Sequence, residues 1–268
     1  MIYNEIDAPH LGQEIGGAET GTYYDNKYLA PHGTLCKTLF DYEVFEMFVH
    51  PGEIIEVRIM CLDGKKGMIL SGYFDNYEDF CREVQEIDTR QHAGIYFTLQ
   101  VIDPRLIARS CNRLKTGDLT TSDKDVLYYR WLPIDLDPVR PSGISSSESE
   151  LKTALELREN VTKWVMQEYQ SEAPIKAVSG NGGHLLFSLP DWPVDDKNKT
   201  LIKNILEEVS ERFSTDKVKI DTSVYNPSRI WKLYGTMTRK GDEITANPYR
   251  EARPHRMAYI DDLGVRHD

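Results

Sequence analysis

The sequence predicts an α+β fold whose second half has the element order βαββαβ. Strand-like runs alternate with two long amphipathic stretches between residues 128 and 222, and each stretch repeats its apolar residues at helical spacing. The 268 residues are 40% hydrophobic and 10% aromatic, which is enough to bury a core for one large domain or two packed halves. Two helices on one face of a four-stranded sheet form the split-βαβ, or ferredoxin-like, arrangement.

We divide the chain into three segments. Residues 1–50 show no sustained periodicity, and we interpret them as a lead-in to which no regular structure is assigned. Residues 51–127 form an N-terminal α/β half, and residues 128–268 form a second half that ends in a basic segment.

The N-terminal half contains three hydrophobic runs that predict strands at 53–60, 68–74 and 95–101. Asn76 provides an N-cap for a helix between the second and third of these strands. Asp103 and Pro104 offer a cap and a first-turn proline for a short helix after the third strand.

The second half has predicted strands at 128–135, 175–179, 184–189 and 218–222 and helices at 147–169 and 197–213. The first helix opens with Ser147-x-x-Glu150, the spacing of a capping box. Right-handed crossovers and a tight turn at residues 181–183 make the first strand antiparallel to the third and fourth, in the sheet order 4-1-3-2. The C-terminal end of the first strand then meets the N-terminal ends of the other two.

Four polar side chains fall at that meeting point: Asp135, Asp137, His184 and Asp221. Side chains alternate along a strand, so Asp135 and Asp137 face the same side of the sheet. Like charges this close are unfavourable unless a cation lies between them, and hard oxygen ligands select Mg²⁺ or Mn²⁺. The three carboxylates are therefore candidate ligands for two divalent ions that assist nucleotidyl transfer. Because Pro138 follows, a simple turn is the alternative interpretation of the D-x-D pair.

A glycine-rich hairpin lies between the second and third strands of this half. Gly180 and Gly182 expose backbone amides and let a bulky anion such as a triphosphate approach. His184 can donate to a phosphate oxygen, and Ser179 or Asn181 can add polar contacts. The alternative is an ordinary hairpin turn with a packed histidine.

A basic segment follows the last predicted strand. Residues 229–256 contain seven Lys/Arg and three acidic residues, which makes them a candidate phosphate-facing strip. Arg229 and Lys232, just after Asp221, have the right charge to hold β- and γ-phosphates. A solvated charged surface is the alternative interpretation.

The composition argues against several classes of protein and kinds of site. A net charge of −11 argues against a protein that coats nucleic acid non-specifically. No apolar run long enough to span a membrane and no signal peptide are present, so we expect a cytoplasmic protein without a membrane partner. The four cysteines have no C-x-x-C pair, so we expect no zinc; they are Cys36, Cys61, Cys81 and Cys111.

Taken together, the motifs resemble the three signature motifs of the archaeo-eukaryotic primase superfamily. The corresponding segments are the hydrophobic strand ending in D-x-D at 131–137, the G-N-G-G-H hairpin, and Asp221 followed by residues 226–236. The resemblance extends to residues 239–241 and 253–256, which are similar to primase-polymerases of plasmids, phages and CRISPR-associated loci. It covers the chain from about Ile95 onward and does not cover the residues before about Gly52.

The resemblance implies a primase catalytic core, with the N-terminal α/β half packed on an RRM-like half and the active site in the cleft between them. It implies a DNA-directed primase/polymerase that uses nucleoside triphosphates, a single-stranded DNA template and a primer. Further domains, or replication or CRISPR proteins, would lie outside this chain. Some relatives also carry a zinc-binding module or a helicase P-loop. Neither motif is found in this sequence, so these modules would also lie outside this chain.

The resemblance also implies residue roles. The metal ligands are Asp135, Asp137 and Asp221, and the nucleotide-binding residues are Ser179, Gly180, Asn181, Gly182, His184, Arg229 and Lys232. Nucleic-acid contact is assigned to Asn112, Arg113, Arg239, Lys240, His255 and Arg256. A helix C-terminus is the alternative explanation of the pair Asn112 and Arg113.

Two other classes of function fit parts of the pattern. A two-metal nuclease or an end-repair nucleotidyltransferase would use the same carboxylates, and primer initiation would separate these from a primase. A non-catalytic, RRM-like replication initiator would need aromatic residues on the central strands to stack bases, and residues 184–187 offer only Phe187.

Overall fold

The computed structural model describes residues 42–60, 69–88, 94–117 and 119–264. It has a mixed α+β fold with antiparallel sheets, which confirms the fold class at this level. Most of the predicted lead-in, residues 1–41, lies outside the described residues, as do Cys36 and Cys61.

The helices of the described residues are α1 Tyr42–Phe48, α2 Tyr77–Asp88, α3 Glu148–Tyr169 and α4 Asp196–Phe213. Helix α1 lies inside the predicted lead-in, where no regular structure was expected, and forms because Phe48 and its apolar neighbours are buried in the core. The three longer helices begin at capping side chains. Asn76 accepts from the backbone of α2 at 2.9 Å, Asp195 does the same for α4 at 2.7 Å, and the predicted capping box opens α3.

Thirteen strands are present in the described residues. They are β1 Ile55–Met60, β2 Ile69–Phe74, β3 Gly94–Thr98, β4 Val101–Ile102, β5 Lys115–Thr116, β6 Val126–Pro138, β7 Ile175–Val178, β8 Gly183–Pro193, β9 Val218–Ile220, β10 Ile230–Lys232, β11 Met237–Thr238, β12 Arg256–Met257 and β13 Tyr259–Asp262. One sheet has the order β10-β3-β1-β2-β5, and another has β13-β7-β8-β6-β4 with β9 also paired to β6.

The second of these sheets contains the βαββαβ unit. Its strands β9, β6, β8 and β7 are neighbours in that sequence, which is the predicted order 4-1-3-2. Gly183 faces α3, since a Cβ there would lie 3.2 Å from the Arg158 side chain. The adjacent residue His184 is on the opposite face, where its ring centroid is 4.1 Å from that of Trp231 in β10. The unit is therefore covered by helices on one face and by the other sheet on the opposite face.

The segments 51–127 and 128–268 exchange strands. Strand β10 pairs with β3, and β4 pairs with β6. The single strand predicted at 95–101 was wrong, because the chain changes sheet after Thr98. The Gln100 side chain stabilises this change by donating to Trp131 O at 2.8 Å and accepting from Arg130 N at 2.8 Å.

One hydrophobic core connects the two sheets. The cluster includes Phe97 from the first sheet and Trp131 from the second, and the Phe48 ring of α1 contacts both, with centroid distances of 5.1 and 5.4 Å. Among the described helices, none combines the length and apolar character that crossing a membrane requires.

Candidate active site

A cleft of about 240 Å³ lies between the two sheets, at the C-terminal end of β6. Strands β3 and β10 supply one wall, and β6, β8 and the residues after β9 supply the other. The lining residues are Tyr96, Asp135, Asp137, Ser179, Asn181, His184, Asp221, Val224, Arg229, Ile230, Trp231, Lys232, Thr238 and Lys240. A larger cavity of about 830 Å³, bordered by α1, contains none of the site residues predicted from the sequence.

The three carboxylates are brought together by strand register. Asp135 pairs with His184 across β6 and β8, and Asp221 follows β9 and donates its backbone N–H to Asp135 O at 3.0 Å. Asp137 lies two residues along β6, on the same face of the sheet. The predicted convergence of these carboxylates on one edge of one sheet is confirmed.

Asp135 is more enclosed than Asp137, with 21% of its side chain exposed against 45%. Its Oδ1 atom is buried and has no hydrogen-bond partner among the described residues. Burial, followed by the negative charges of Asp137 and Asp221, raises the pKa of Asp135 well above its usual value. The site therefore contains a buried carboxylate oxygen that no hydrogen bond from the described residues satisfies.

Asp137 and Asp221 each have a partner within the chain. Asp137 Oδ1 lies 3.6 Å from Arg140 Nη1, and Asp221 Oδ1 caps the next 3₁₀ turn by accepting from Ser223 N at 2.8 Å. No group of three or more His, Cys, Asp or Glu side chains in the described residues is arranged to hold a metal ion. The donors fit a divalent cation in their chemistry, because they are carboxylates and one has a buried, unpaired oxygen, but they do not enclose an ion in this arrangement.

His184 is a packed histidine at the base of the cleft. It is 3% exposed, and burial, followed by the positive charges of Arg158 and Lys232, lowers its pKa to about 3. The imidazole is therefore neutral at neutral pH.

The hydrogen bonds around His184 favour one tautomer. Trp231 Nε1 donates to the Tyr234 hydroxyl at 2.7 Å, so that hydroxyl is free to donate to His184 Nδ1 at 3.1 Å. The remaining N–H is then on Nε2, which lies 3.5 Å from Asp135 Oδ1. The ring thus orients an N–H toward the buried carboxylate, and its contact with a nucleotide stays a prediction.

The glycine-rich hairpin packs against the end of β6. A Cβ on Gly182 would lie 2.4 Å from Leu136 O and 3.2 Å from Asp137 Oδ1, so glycine is required for this approach. Ser179 closes the turn by accepting from Gly182 N at 2.9 Å. Ser179 and Asn181 line the cleft, whereas Gly180 and Gly182 support the turn from behind.

Lys232 and Arg229 both line the cleft. Lys232 is buried and donates from Nζ to Thr236 Oγ1 at 2.8 Å and to Met237 O at 3.0 Å. Arg229 donates from Nη2 to Ser223 O at 2.6 Å, while its Nε is buried without a partner in the described residues. Lys232 is therefore not a solvated surface charge, whereas Arg229 is partly exposed.

Three other residues of the basic segment make contacts within the protein. Arg253 forms ion pairs with Glu150, and Arg256 Nη2 lies 3.0 Å from Glu148 Oε2, so both are tied to the start of α3. His255 Nε2 contacts Gly241 O at 2.9 Å. Of the six residues assigned to nucleic-acid contact, only Lys240 lines the cleft. For all six, contact with nucleic acid stays a prediction.

Asn112 and Arg113 lie away from the cleft. Asn112 has a left-handed backbone (φ 49°) and exchanges two hydrogen bonds with Asp75, at 2.8 and 3.2 Å. Arg113 is exposed, and its carbonyl accepts from Ser110 Oγ at 2.8 Å. The geometry of Asn112 matches a local turn.

Sequence reasoning missed several residues of the site. Tyr96 and Thr238 line the cleft, Arg140 contacts Asp137, and Tyr234 holds His184. Tyr234 lies inside the segment 226–236, which carries the resemblance to primases, so the sequence could have indicated it as a site residue. The others belong to short strands or loops without a distinctive pattern.

Comparisons with protein-family models, curated proteins and solved structures found no match to this chain. Its function is therefore argued from the geometry of the cleft.

Proposed function

We propose that this chain is the catalytic core of a template-dependent primase-polymerase of the archaeo-eukaryotic primase type. It makes primers on single-stranded DNA and extends strands from nucleoside triphosphates. The observation that carries this proposal is the cleft itself, in which three carboxylates and three cationic side chains line a gap between two sheets; the cations are Arg229, Lys232 and Lys240. Few reactions need both an anionic cluster and adjacent cations, and phosphoryl transfer from a triphosphate is one of them.

Each side chain has a role in the proposed reaction. Asp135, Asp137 and Asp221 would hold two Mg²⁺ or Mn²⁺ ions, which when bound would activate a 3′-hydroxyl and neutralise charge on the transferred phosphoryl group. Arg229 and Lys232 hold the β- and γ-phosphates, and the turn at 179–182 accommodates the triphosphate.

The bond changes are those of nucleotidyl transfer. The 3′-hydroxyl loses its proton to water, its oxygen forms a bond to the α-phosphorus, the bond from that phosphorus to the oxygen bridging it to the β-phosphate breaks, and pyrophosphate leaves. Since His184 is neutral and its Nε2–H is directed at Asp135, its part in this scheme is to orient that carboxylate.

A non-catalytic, RRM-like binding module fits the structure less well. Such a module stacks bases on an open sheet face, but this face is covered where Trp131 packs on Phe48 and His184 packs on Trp231. A two-metal nuclease would use the same carboxylates. Arg229 and Lys232, which line the same cleft, favour a triphosphate substrate over a nucleic-acid strand that is to be cut.

The test is synthesis on unprimed single-stranded DNA with labelled nucleotides and Mn²⁺ or Mg²⁺, followed on a denaturing gel. We expect short new strands from the wild-type protein and none from Asp135→Ala/Asp137→Ala. The matched control is Asp216→Ala/Asp242→Ala, which removes two exposed carboxylates and should leave synthesis unchanged.

Other outcomes assign other functions. Extension of a supplied primer without initiation would indicate a polymerase or end-repair enzyme. Degradation of the DNA would indicate a nuclease. No reaction under any of these conditions would overturn the proposal.

A further inference from the structure

Asn181 presents an unpaired amide at the wall of the cleft. The residue is 2% exposed, and its Oδ1 accepts from Ser146 N at 2.8 Å and from Ser146 Oγ at 3.3 Å. Its Nδ2 is buried and has no hydrogen-bond partner among the described residues. A buried amide without a partner is unfavourable unless a ligand satisfies it.

The orientation of this amide is determined by Ser146. A backbone N–H can only donate, so Oδ1 must be the atom that faces Ser146. Nδ2 is therefore fixed as the donor atom of a residue that lines the cleft, and it suits an acceptor oxygen of a ligand.

Ser146 is in turn held by Arg256. Arg256 Nη1 donates to Ser146 O at 2.8 Å and to Ser146 Oγ at 3.2 Å, and its Nη2 pairs with Glu148. The Arg256 side chain is 14% exposed, against 77% for Glu148. The guanidinium is thus directed into the loop before α3 and is not displayed to a polymer in solvent.

We infer that Arg256 and Ser146 are positioning residues for the Asn181 amide, which donates from Nδ2 to a phosphate oxygen of the incoming nucleotide. The inference rests on the proposed function for the identity of the ligand. A phosphate oxygen fits because Lys232, Arg229 and Lys240 line the same cleft. Arg256, assigned from the sequence to nucleic-acid contact, acts within the protein instead.

The first experiment measures equilibrium binding of a non-hydrolysable deoxynucleoside triphosphate in the presence of Ca²⁺. We compare wild type with Asn181→Asp, which keeps the acceptor facing Ser146 but replaces Nδ2, and with Arg256→Met, which keeps the aliphatic stem. We expect Kd to rise at least about 10-fold for Asn181→Asp and about 3- to 10-fold for Arg256→Met, as for loss of one hydrogen bond to a charged group. Asn181→Asp/Arg256→Met should bind no more weakly than Asn181→Asp, because both changes act on one interaction.

Arg250→Met is the matched control, since Arg250 is an exposed arginine of the same basic segment. It should leave nucleotide Kd within about 2-fold of the wild type, within the scatter expected for an exposed substitution. Thermal unfolding of each variant shows whether it is folded; if Arg256→Met is not, Glu148→Gln replaces it, with a smaller expected rise in Kd.

The second experiment separates positioning from template contact. Affinity for single-stranded DNA is measured against salt concentration for wild type and Arg256→Met. We expect the slope of log K against log salt to be unchanged, whereas loss of a template phosphate contact would reduce it by about one. A reduced slope with unchanged nucleotide Kd would overturn the inference.

A third measurement does not depend on nucleotide binding. In ¹⁵N-labelled protein, the side-chain amide signals of Asn181 are identified by their absence from Asn181→Asp. Arg256→Met should shift these signals and speed their exchange with solvent, and Arg250→Met should not. If the wild type binds no nucleotide, the proposed function fails, while unchanged Asn181 signals in Arg256→Met overturn the positioning role itself.

Discussion

At the scale of the residue, Asp135 shows how a strand can hold a charge that the protein alone does not balance. Asp137 on the same strand and Asp221 after the adjacent strand β9 bring two further carboxylates near it, and its own Oδ1 is buried without a partner among the described residues. The raised pKa means that the folded protein binds a proton at this site more tightly than the unfolded chain does. The contribution of Asp135 to stability is therefore fully present below the ordinary carboxylate pKa and is lost as pH rises through the raised one.

Because the wild type loses stability as pH rises, we can predict how it differs from Asp135→Asn, whose side chain is neutral at every pH. In the presence of a chelator, the free energy of unfolding of the variant relative to wild type should increase with pH. The increase should be about 1.4 kcal/mol for each pH unit between the ordinary pKa, near 3.9, and the raised pKa. Urea unfolding between pH 4 and 9 measures it.

Addition of Mg²⁺ or Mn²⁺ provides the control. The ion should stabilise the wild type and not the variant, because only the wild type keeps the ligand. Parallel stability curves for the two proteins in chelator would show that the Asp135 carboxylate is not destabilised by folding.

Residue roles were predictable where a side chain's position follows from strand alternation. Asp135 and Asp137 could be placed on one face because side chains alternate along β6, and His184 could be placed at the end of β8 that meets them. Arg256 could not be interpreted in this way, because its partner Glu148 is distant in the sequence. Basic residues of one segment look alike until their acidic partners are known.

At the scale of the element, the glycine-rich turn fixes the distance between β8 and the end of β6. The turn brings Gly182 against Leu136 O, so the backbone of one element forms part of the support for the carboxylates. A side chain at this position would separate the two strands at the point where Asp137 lies.

We therefore expect Gly182→Ala to destabilise the protein by about 1–3 kcal/mol, the usual effect of overpacking, and to reduce nucleotide incorporation. Gly117→Ala is the matched control, because a Cβ there meets nothing within 4 Å. Urea unfolding and primer extension measure the two effects. Equal stability of the two variants would mean that the turn can shift without strain.

The long elements were predictable from local pattern, whereas the short strands were not. The helices α2, α3 and α4 carry both a cap and a helical apolar repeat, and their predicted positions are confirmed within a few residues. Strands β4 and β10 have two and three residues, and they form because a distant strand offers an open edge. Such pairing depends on three-dimensional proximity, which no local window contains.

At the scale of the whole molecule, the exchange of β4 and β10 joins the two sheets. Each sheet contains at least one strand from the opposite side of residue 128. Arg130 adds a buried connection by pairing with Glu53 at 2.6 Å and Asp191 at 2.7 Å. If the segments on either side of residue 128 separated, β10 would have to leave β3 and β4 would have to leave β6.

We therefore expect a single cooperative unfolding transition. Far-UV circular dichroism and tryptophan fluorescence should give the same urea midpoint, because Trp131 and Trp231 lie in different sheets and report on both. Two separated midpoints would show that the segments on either side of residue 128 unfold independently despite the exchange.

The same exchange has a consequence during translation. Strand β3 leaves the ribosome long before β10, so one side of β3 has no hydrogen-bonding partner until residue 232 has been made. Strand β7 likewise waits for β13. An emerging chain therefore carries two open strand edges through much of its synthesis, and such edges can pair with other chains. Prematurely terminated products that lack the final strands should aggregate more readily than the finished protein.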